Sequence, residues 1–366
     1  MVDQFSRSLP ALSRRGLIVG AGAAAATLAM PRLASAADPL KIGFVYVGPI
    51  GDHGYSYSHD QGRKAVEEEF GERVKVTVVE NVNEGPDSER VIRQLASSGN
   101  GMVFATSFGF MQPTIRVAKQ FPKVLFEHAT GYMRADNVGI YNGRFYEGRA
   151  VLGTIAGLMT KTGVVGYVGS FPIPEVVMGI NAFILAARKV RPDLKVKVIW
   201  LNSWYDPGKE ADAAKALIDG GADIIAQHVD SPAAMQVAEQ RGVYAFGQAS
   251  DMSRFAPKAH LSAIVYDWAP YYTGRVKLAL DGGWKSDDAW WGIKQGLIKI
   301  APYNDAVPED VRKQADAVRD AIAAGTLHPF TGPVKDREGK ERIAAGQTIS
   351  DADLLKMDWF VEGVEG

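Results

Sequence analysis

The residues best suited to chemistry in this sequence lie just past its short apolar runs. After "KIGFVYV" (41–47) come Asp52, Tyr55, Ser56 and Tyr57; "GMVFATS" (101–107) ends in Ser107 and leads to Phe108 and Phe110; "VLFEHAT" carries His128. Further on, Phe171, Pro172 and Glu175 follow "GVVGYVGS", Trp204, Tyr205 and Asp206 follow "KVKVIWLNS", Asp230 ends "ADIIAQHVD", and Ser250 and Asp251 end "VYAFGQASD". Flat rings with a few carboxylates recur in these places, and cations are scarce. An anion or sugar phosphate needs Arg or Lys forks, or bare N–H groups at a helix start. A planar heterocycle instead needs aromatic faces above and below it and hydrogen-bonding groups at its edge. Tyr55 and Trp204, each near an aspartate, form the candidate sandwich, with Asp206 or Asp251 accepting N–H from the ring edge. Stacking is worth about 1 to 3 kcal/mol per base. Two faces and two carboxylate bonds therefore support micromolar binding, roughly −8 kcal/mol. Asp52, Ser56, Ser107, Glu175, Asn181 and Trp268 are further candidates, whereas Phe108 and Phe110 read as packing residues.

Enzymatic motifs are missing. "GPIGDHG" lacks the Lys-Ser/Thr of a phosphate-binding loop and does not match G-x-G-x-x-G. The six histidines, at 53, 59, 128, 228, 260 and 328, form no H-x-x-x-H or H-E-x-x-H pair. His53 and His59 with Asp52 and Asp60 resemble a metal set only loosely; histidines on a polar loop are more often solvated. No G-x-S-x-G elbow is present, and no cofactor is expected.

The elements that position these residues follow from hydrophobic patterning. Strand-like runs alternate with helix-like segments of about 10 to 15 residues, the mark of βαβ units and a parallel sheet. A first series runs from Lys41 to Thr130, with helix-like stretches over 60–70, 87–98 and 113–120. The pattern restarts after a helix-like segment over 147–161 and continues through "LSAIVYD" and "APYYTGRVKLALDGG". The class is α/β, with two similar lobes. In open α/β sheets ligands bind beyond the carboxyl ends of the strands, which is where the aromatic and acidic residues lie. Near the C-terminus, "DREGK" between "GPV" and "RIAA" predicts a hairpin, and the tail reads as a surface appendage on one lobe.

Composition bounds the function. A chain of 366 residues with 46% hydrophobic content is long enough for two cores. The net charge of −1 offers no field for nucleic acid or an anionic membrane. The absence of cysteine removes disulfides, thiolate catalysis and cysteine-linked lipid. Residues 1–36 predict a removable export signal: Arg14 and Arg15 precede the small apolar run 16–30, and Ala34-Ser35-Ala36 supplies a small-x-small cleavage site. That run is short for a bilayer span, which needs about 20 mainly apolar residues. Ser13-Arg14-Arg15 with Leu17 and Ile18 resembles a twin-arginine signal, so a free periplasmic protein without a lipid anchor is expected.

From Leu40 to Gly366, "IGFVYVGPIGDHGYSYSHDQGR", "ATSFGF", "NGRFYEGRAVLG", "VGYVGSFPIPEVVMGINAF", "WLNSWYDPGKEADAAKALIDGGADII", "FGQASDM" and the tail "GPVKDREGKERIAAGQTISDADLLKMDWFVEGV" together resemble the basic membrane protein (BMP) family of ABC-transporter solute-binding proteins. The resemblance implies a type I periplasmic-binding-protein fold, two Rossmann-like lobes joined by a hinge of three crossovers. It places the N-terminal lobe at 38–145 plus 267–292, the C-terminal lobe at 146–266 plus 293–335, and the appendage at 336–366. It implies a purine-type ligand, a nucleoside or a free base such as adenine, and an ABC permease and ATPase as partners of a monomer. Asp52 and Tyr55 fall on the family's Asp-x-Ser-Phe-Asn loop, with Gly54, Tyr55 and Ser56 replacing Ser, Phe and Asn. Trp204 and Asp206 fall on its Phe-x-Asp loop, and Asp251 on an aspartate that serves the sugar of nucleosides. The lysine that nucleoside binders carry after the strand matching "LSAIVYD" is missing, and Tyr266, Asp267 and Trp268 stand there instead. The bulk of Trp204 and Trp268 favours a bare base. An exported nucleoside hydrolase is the alternative, although no paired aspartates for it are evident.

Overall fold

The structure, a computed structural model, describes residues 38–366. The expected export signal, residues 1–36, lies outside the described residues.

The first half of the chain alternates β1 (Leu40–Val45), α1 (Gly54–Phe70), β2 (Val74–Val79), α2 (Pro86–Ser97), β3 (Met102–Ala105), α3 (Met111–Ala118), β4 (Leu125–Ala129) and β5 (Val138–Gly143). The pattern then repeats through α4 (Phe145–Met159), β6 (Val164–Gly169), α5 (Pro174–Val190), β7 (Lys195–Trp200), α6 (Pro207–Asp219), β8 (Ile224–His228), α7 (Ala233–Gln240), β9 (Tyr244–Gly247), β10 (His260–Tyr266) and α8 (Ala269–Leu280). The remainder comprises β11 (Asp288–Trp291), β12 (Ile298–Ile300), α9 (Glu309–Ala324), β13 (Val334–Lys335), β14 (Glu341–Ile343), α10 (Asp351–Leu354) and β15 (Val364–Glu365).

Two sheets result. The first has the order β11-β5-β4-β3-β1-β2 and is parallel throughout. The second has the order β12-β10-β9-β8-β6-β7-β15, parallel except where β12 meets β10. The cores of the two orders, 2-1-3-4-5 and 7-6-8-9-10, are the same doubly wound topology. The chain passes between sheets through α4, through α8 and between β11 and β12. Strands β3, β5 and β8 are buried along their whole length. Helices on both faces of a parallel sheet produce such continuous runs.

The structure corrects three readings. Helix α1 starts at Gly54, six residues before the expected Asp60. Tyr55, Tyr57 and His59 are therefore helical, and His59 is buried against Trp268 with ring centroids 4.6 Å apart. The tail is not merely an appendage: β13 and β14 form the expected hairpin, but β15 pairs in parallel with β7 and extends the second sheet. Asn181, expected at the ligand, is fully buried in α5 and holds this tail instead. Its Nδ2 donates to the Trp359 carbonyl (2.8 Å), and its Oδ1 accepts from the Val361 N–H (3.0 Å).

Candidate functional site

A cavity lies where the carboxyl ends of the two sheets face each other, the position at which open α/β sheets bind ligands. Loops of the first sheet contribute Val47, Tyr55, Ser107, Phe108 and Thr130; loops of the second contribute Glu175, Trp204, His228, Val229, Asp230 and Gln248. No lysine or arginine is among these described lining residues.

Each lining side chain owes its place to a strand end. Tyr55 is the second residue of α1, reached through Gly54, whose φ of +83° L-residues rarely adopt. Ser107 and Phe108 follow β3, and Thr130 follows β4. Glu175 lies in the first turn of α5, opened by Pro174 at a position where a missing N–H costs nothing. Trp204 follows β7, His228 is the last residue of β8, Asp230 comes two residues later, and Gln248 follows β9.

The polar groups are partly tied and partly free. Trp204 Nε1 donates to Glu84 Oε1 at 3.3 Å, and the same oxygen accepts from Ser107 Oγ at 2.6 Å. The indole plane is thereby held from the opposite lobe. His228 Nε2 lies 3.3 Å from Glu175 Oε1. Burial keeps the His228 pKa below its ordinary value, so the neutral ring donates through Nε2. Glu175 Oε2 and His228 Nδ1 are buried without a protein partner. Such groups are costly unless something else satisfies them. Burial pushes the Asp230 carboxyl up to about 7 against the opposing pull of the Tyr55 N–H. Gln248 cannot rotate freely, since its Oε1 accepts from the buried Arg149 and its Nε2 donates to Tyr266 Oη (2.9 Å).

Of the residues expected at the site, the structure brings Tyr55, Ser107, Glu175 and Trp204 to one cavity and leaves the others outside it. Asp206 caps its own helix, accepting from the Lys209 N–H (3.1 Å) and pairing with Lys209 Nζ (3.2 Å). These bonds hold its carboxyl below the usual range. Asp251 is exposed and accepts from the Ser253 N–H at 2.9 Å. Asp52 is exposed between His53, at 2.8 Å, and Arg254. Ser56 is fully buried and supports the loop, its Oγ accepting from the Gly48 N–H at 3.3 Å. Trp268 is 1% exposed and packs between α1 and α8, so it removes no space from the cavity. Phe108, read as a packing residue, lines the cavity. His228, Thr130 and Gln248 were missed, and their only signal in the sequence is position at a strand end.

Two doubly wound sheets, joined by three chain crossings and facing each other across a pocket, define a solute-binding fold. The chain belongs to the Bmp family, ABC transporter substrate-binding protein PnrA-like, whose model matches residues 40–328. It is a binding protein, not an enzyme. It is 57% identical over 332 residues to a purine-binding protein of Brucella abortus, covering 91% of this chain and 95% of that one. It is 37% identical over 332 residues to a Haloferax volcanii protein provisionally named ABC transporter glucose-binding protein TsgA13, covering 91% of this chain and 82% of the relative. Among solved structures, an ABC transporter solute-binding protein from Aeropyrum pernix superposes with a TM-score of 0.68 at 16% identity, over 87% of this chain and 96% of that one. This last likeness concerns the fold alone. Among the described residues, no helix is long and apolar enough to cross a membrane.

Proposed function

We propose that the protein captures a purine, as the free base in preference to the nucleoside, for delivery to an ABC permease and its ATPase. The observation that carries this reading is one cavity that joins the Tyr55 and Trp204 rings to the carboxylates of Glu175 and Asp230, with no cationic side chain in its lining. Rings offer faces to a flat heterocycle, and the unpartnered Glu175 Oε2 accepts an N–H from its edge. The purine-binding relative supports the ligand class. Glu175 takes the acceptor role first assigned to Asp206 or Asp251.

Delivery places the mature protein in the periplasm as a monomer, exported by a twin-arginine-type signal and cleaved after Ala36. Mass spectrometry of the secreted protein tests this: a mature chain starting at Ala37 is expected, and an intact Met1 terminus contradicts it. Calorimetry of the refolded, ligand-free protein against adenine, guanine, adenosine, guanosine and glucose tests the ligand. Tight binding of a base is expected. Tight binding of a nucleoside with none of a base removes the free-base reading, and binding of glucose alone removes the purine.

A further inference from the structure

Helix α1 has no cap of its own. Its N-cap residue, His53, has the extended backbone such a position requires, yet its side chain accepts none of the helix's free N–H groups, and the first turn holds no acidic residue. Four N–H groups at a helix start lack intrahelical partners, and they are ordinarily met by a side chain at the N-cap. Within the chain Asp206 caps α6 and Ser350 caps α10 in this way, whereas the N-cap side chains of α2, α3, α4, α5, α7, α8 and α9, like His53, make no such bond; what sets α1 apart is where its acceptors come from.

At α1 the acceptors come from the other lobe. Ser250 Oγ accepts from the Gly54 N–H at 2.8 Å, across 196 residues of chain. Asp230 Oδ1 accepts from the Tyr55 N–H, across 175 residues. The approach is too close for a side chain at position 54, where a Cβ would lie 2.7 Å from the Asp230 carbonyl oxygen. Asp230 is in turn held by its own N–H, which donates to the Trp204 carbonyl at 3.0 Å. Asp230 thus links the residue that carries one stacking ring to the segment that carries the other.

We infer that α1 is capped in trans: Asp230 and Ser250 of the second lobe supply the acceptors missing from the first, so that Tyr55 is set for stacking only when the lobes meet. Solute-binding proteins of this architecture close by hinge motion, and an uncapped helix end is a standing reason for closure. Asp230 and Ser250 are positioning residues in this arrangement. The completed cap orders the backbone under Tyr55, and Trp204 arrives in the same movement.

Amide hydrogen exchange at Gly54 and Tyr55 in the whole mature protein, ligand-free and saturated with adenine, tests the cap. Adenine is expected to slow both amides in the wild type, and Asp230→Ala combined with Ser250→Ala to raise their exchange by about tenfold, the worth of a good N-cap. Equal exchange overturns the inference. Asp230→Asn keeps an acceptor oxygen and is expected to restore slow exchange; exchange as fast as in the alanine variant overturns the acceptor role.

A second arm separates capping from mere packing. His53→Ser offers the same N–H groups an acceptor within their own lobe, while His53→Ala removes the ring and offers none. The cap in cis competes with the cap in trans, so H53S is expected to bind adenine about threefold or more weakly than H53A, within the range of a cap's worth. Equal affinities overturn the coupling of cap to closure. Only the probe rests on the purine reading: a wild type that binds no adenine sinks that reading, and the same exchange comparison, saturated with whichever of guanine, adenosine, guanosine or glucose binds, then decides the cap.

Discussion

The two lobes share a strand order but contribute different chemistry to the cavity. The first presents faces and hydroxyls: Tyr55, Phe108, Ser107 and Thr130. The second presents every ionisable group other than a phenol, namely Glu175, His228 and Asp230, together with Trp204 and Gln248. Equivalent strand ends in two copies of one topology have thus been given separate tasks, shape on one side and polarity on the other. The first lobe alone offers no carboxyl and the second alone only one stacking ring, Trp204, so binding that uses both a sandwich and an edge acceptor needs both lobes.

If this division holds, changes that keep the lobes apart should cost most. Gly54→Ala combines a positive-φ strain with overlap on Asp230, each about 1 to 3 kcal/mol. Adenine affinity should fall at least about thirtyfold, as read by calorimetry, and an unchanged affinity would mean that the lobes need not meet at Asp230. Next comes the polar side. Glu175→Ala removes the free acceptor and should cost about 1.5 to 3 kcal/mol, as expected for a bond to a charged group, with little change in melting temperature. On the aromatic side, Trp204→Ala should cost about 1 to 3 kcal/mol, at least roughly tenfold in most of that range, without unfolding the protein; wild-type affinity would remove Trp204 from the site.

Another effect concerns pH. Burial raises the Asp230 carboxyl from 3.8 to about 7, and opening the cleft returns it toward the ordinary value. Closure is therefore favoured fully below about pH 4, and that contribution fades as pH rises to about 7, beyond which it is lost. Because protonated Asp230 keeps one oxygen to accept from the Tyr55 N–H, the cap survives at low pH. Affinity for adenine should weaken by about one to two orders of magnitude between pH 5 and pH 8, and Asp230→Asn should flatten the profile. A slope that persists in that variant would assign it to another group. The smallest effects belong to residues outside the cavity. Asp251→Asn should leave affinity unchanged, and Asn181→Ala should lower stability by about 1 to 3 kcal/mol with affinity intact; a loss of binding in either would redraw the site's border.

Much of this was legible in the residues. The alternation of apolar runs and helical segments is a local pattern, and it determined the α/β class and the repeated lobe. The strand-end rule then singled out Tyr55, Ser107, Glu175 and Trp204, because position along a strand can be read without knowing its neighbours. Which aspartate would face the ligand was decided only in three dimensions. Asp206 precedes Pro207-Gly208-Lys209, whose free Lys209 N–H it satisfies at once. Asp230 finds its N–H donor on the opposite lobe. Trp268 follows a strand just as Trp204 does, but α1 and α8 close over it. Asn181 was claimed by a tail more than 170 residues away. Local periodicity determines elements, whereas the partner of a polar group depends on which chain segments the sheet order brings within hydrogen-bond reach. Gly54, which belongs to no phosphate-binding motif, clears room at the start of α1 for the carboxylate of the other lobe.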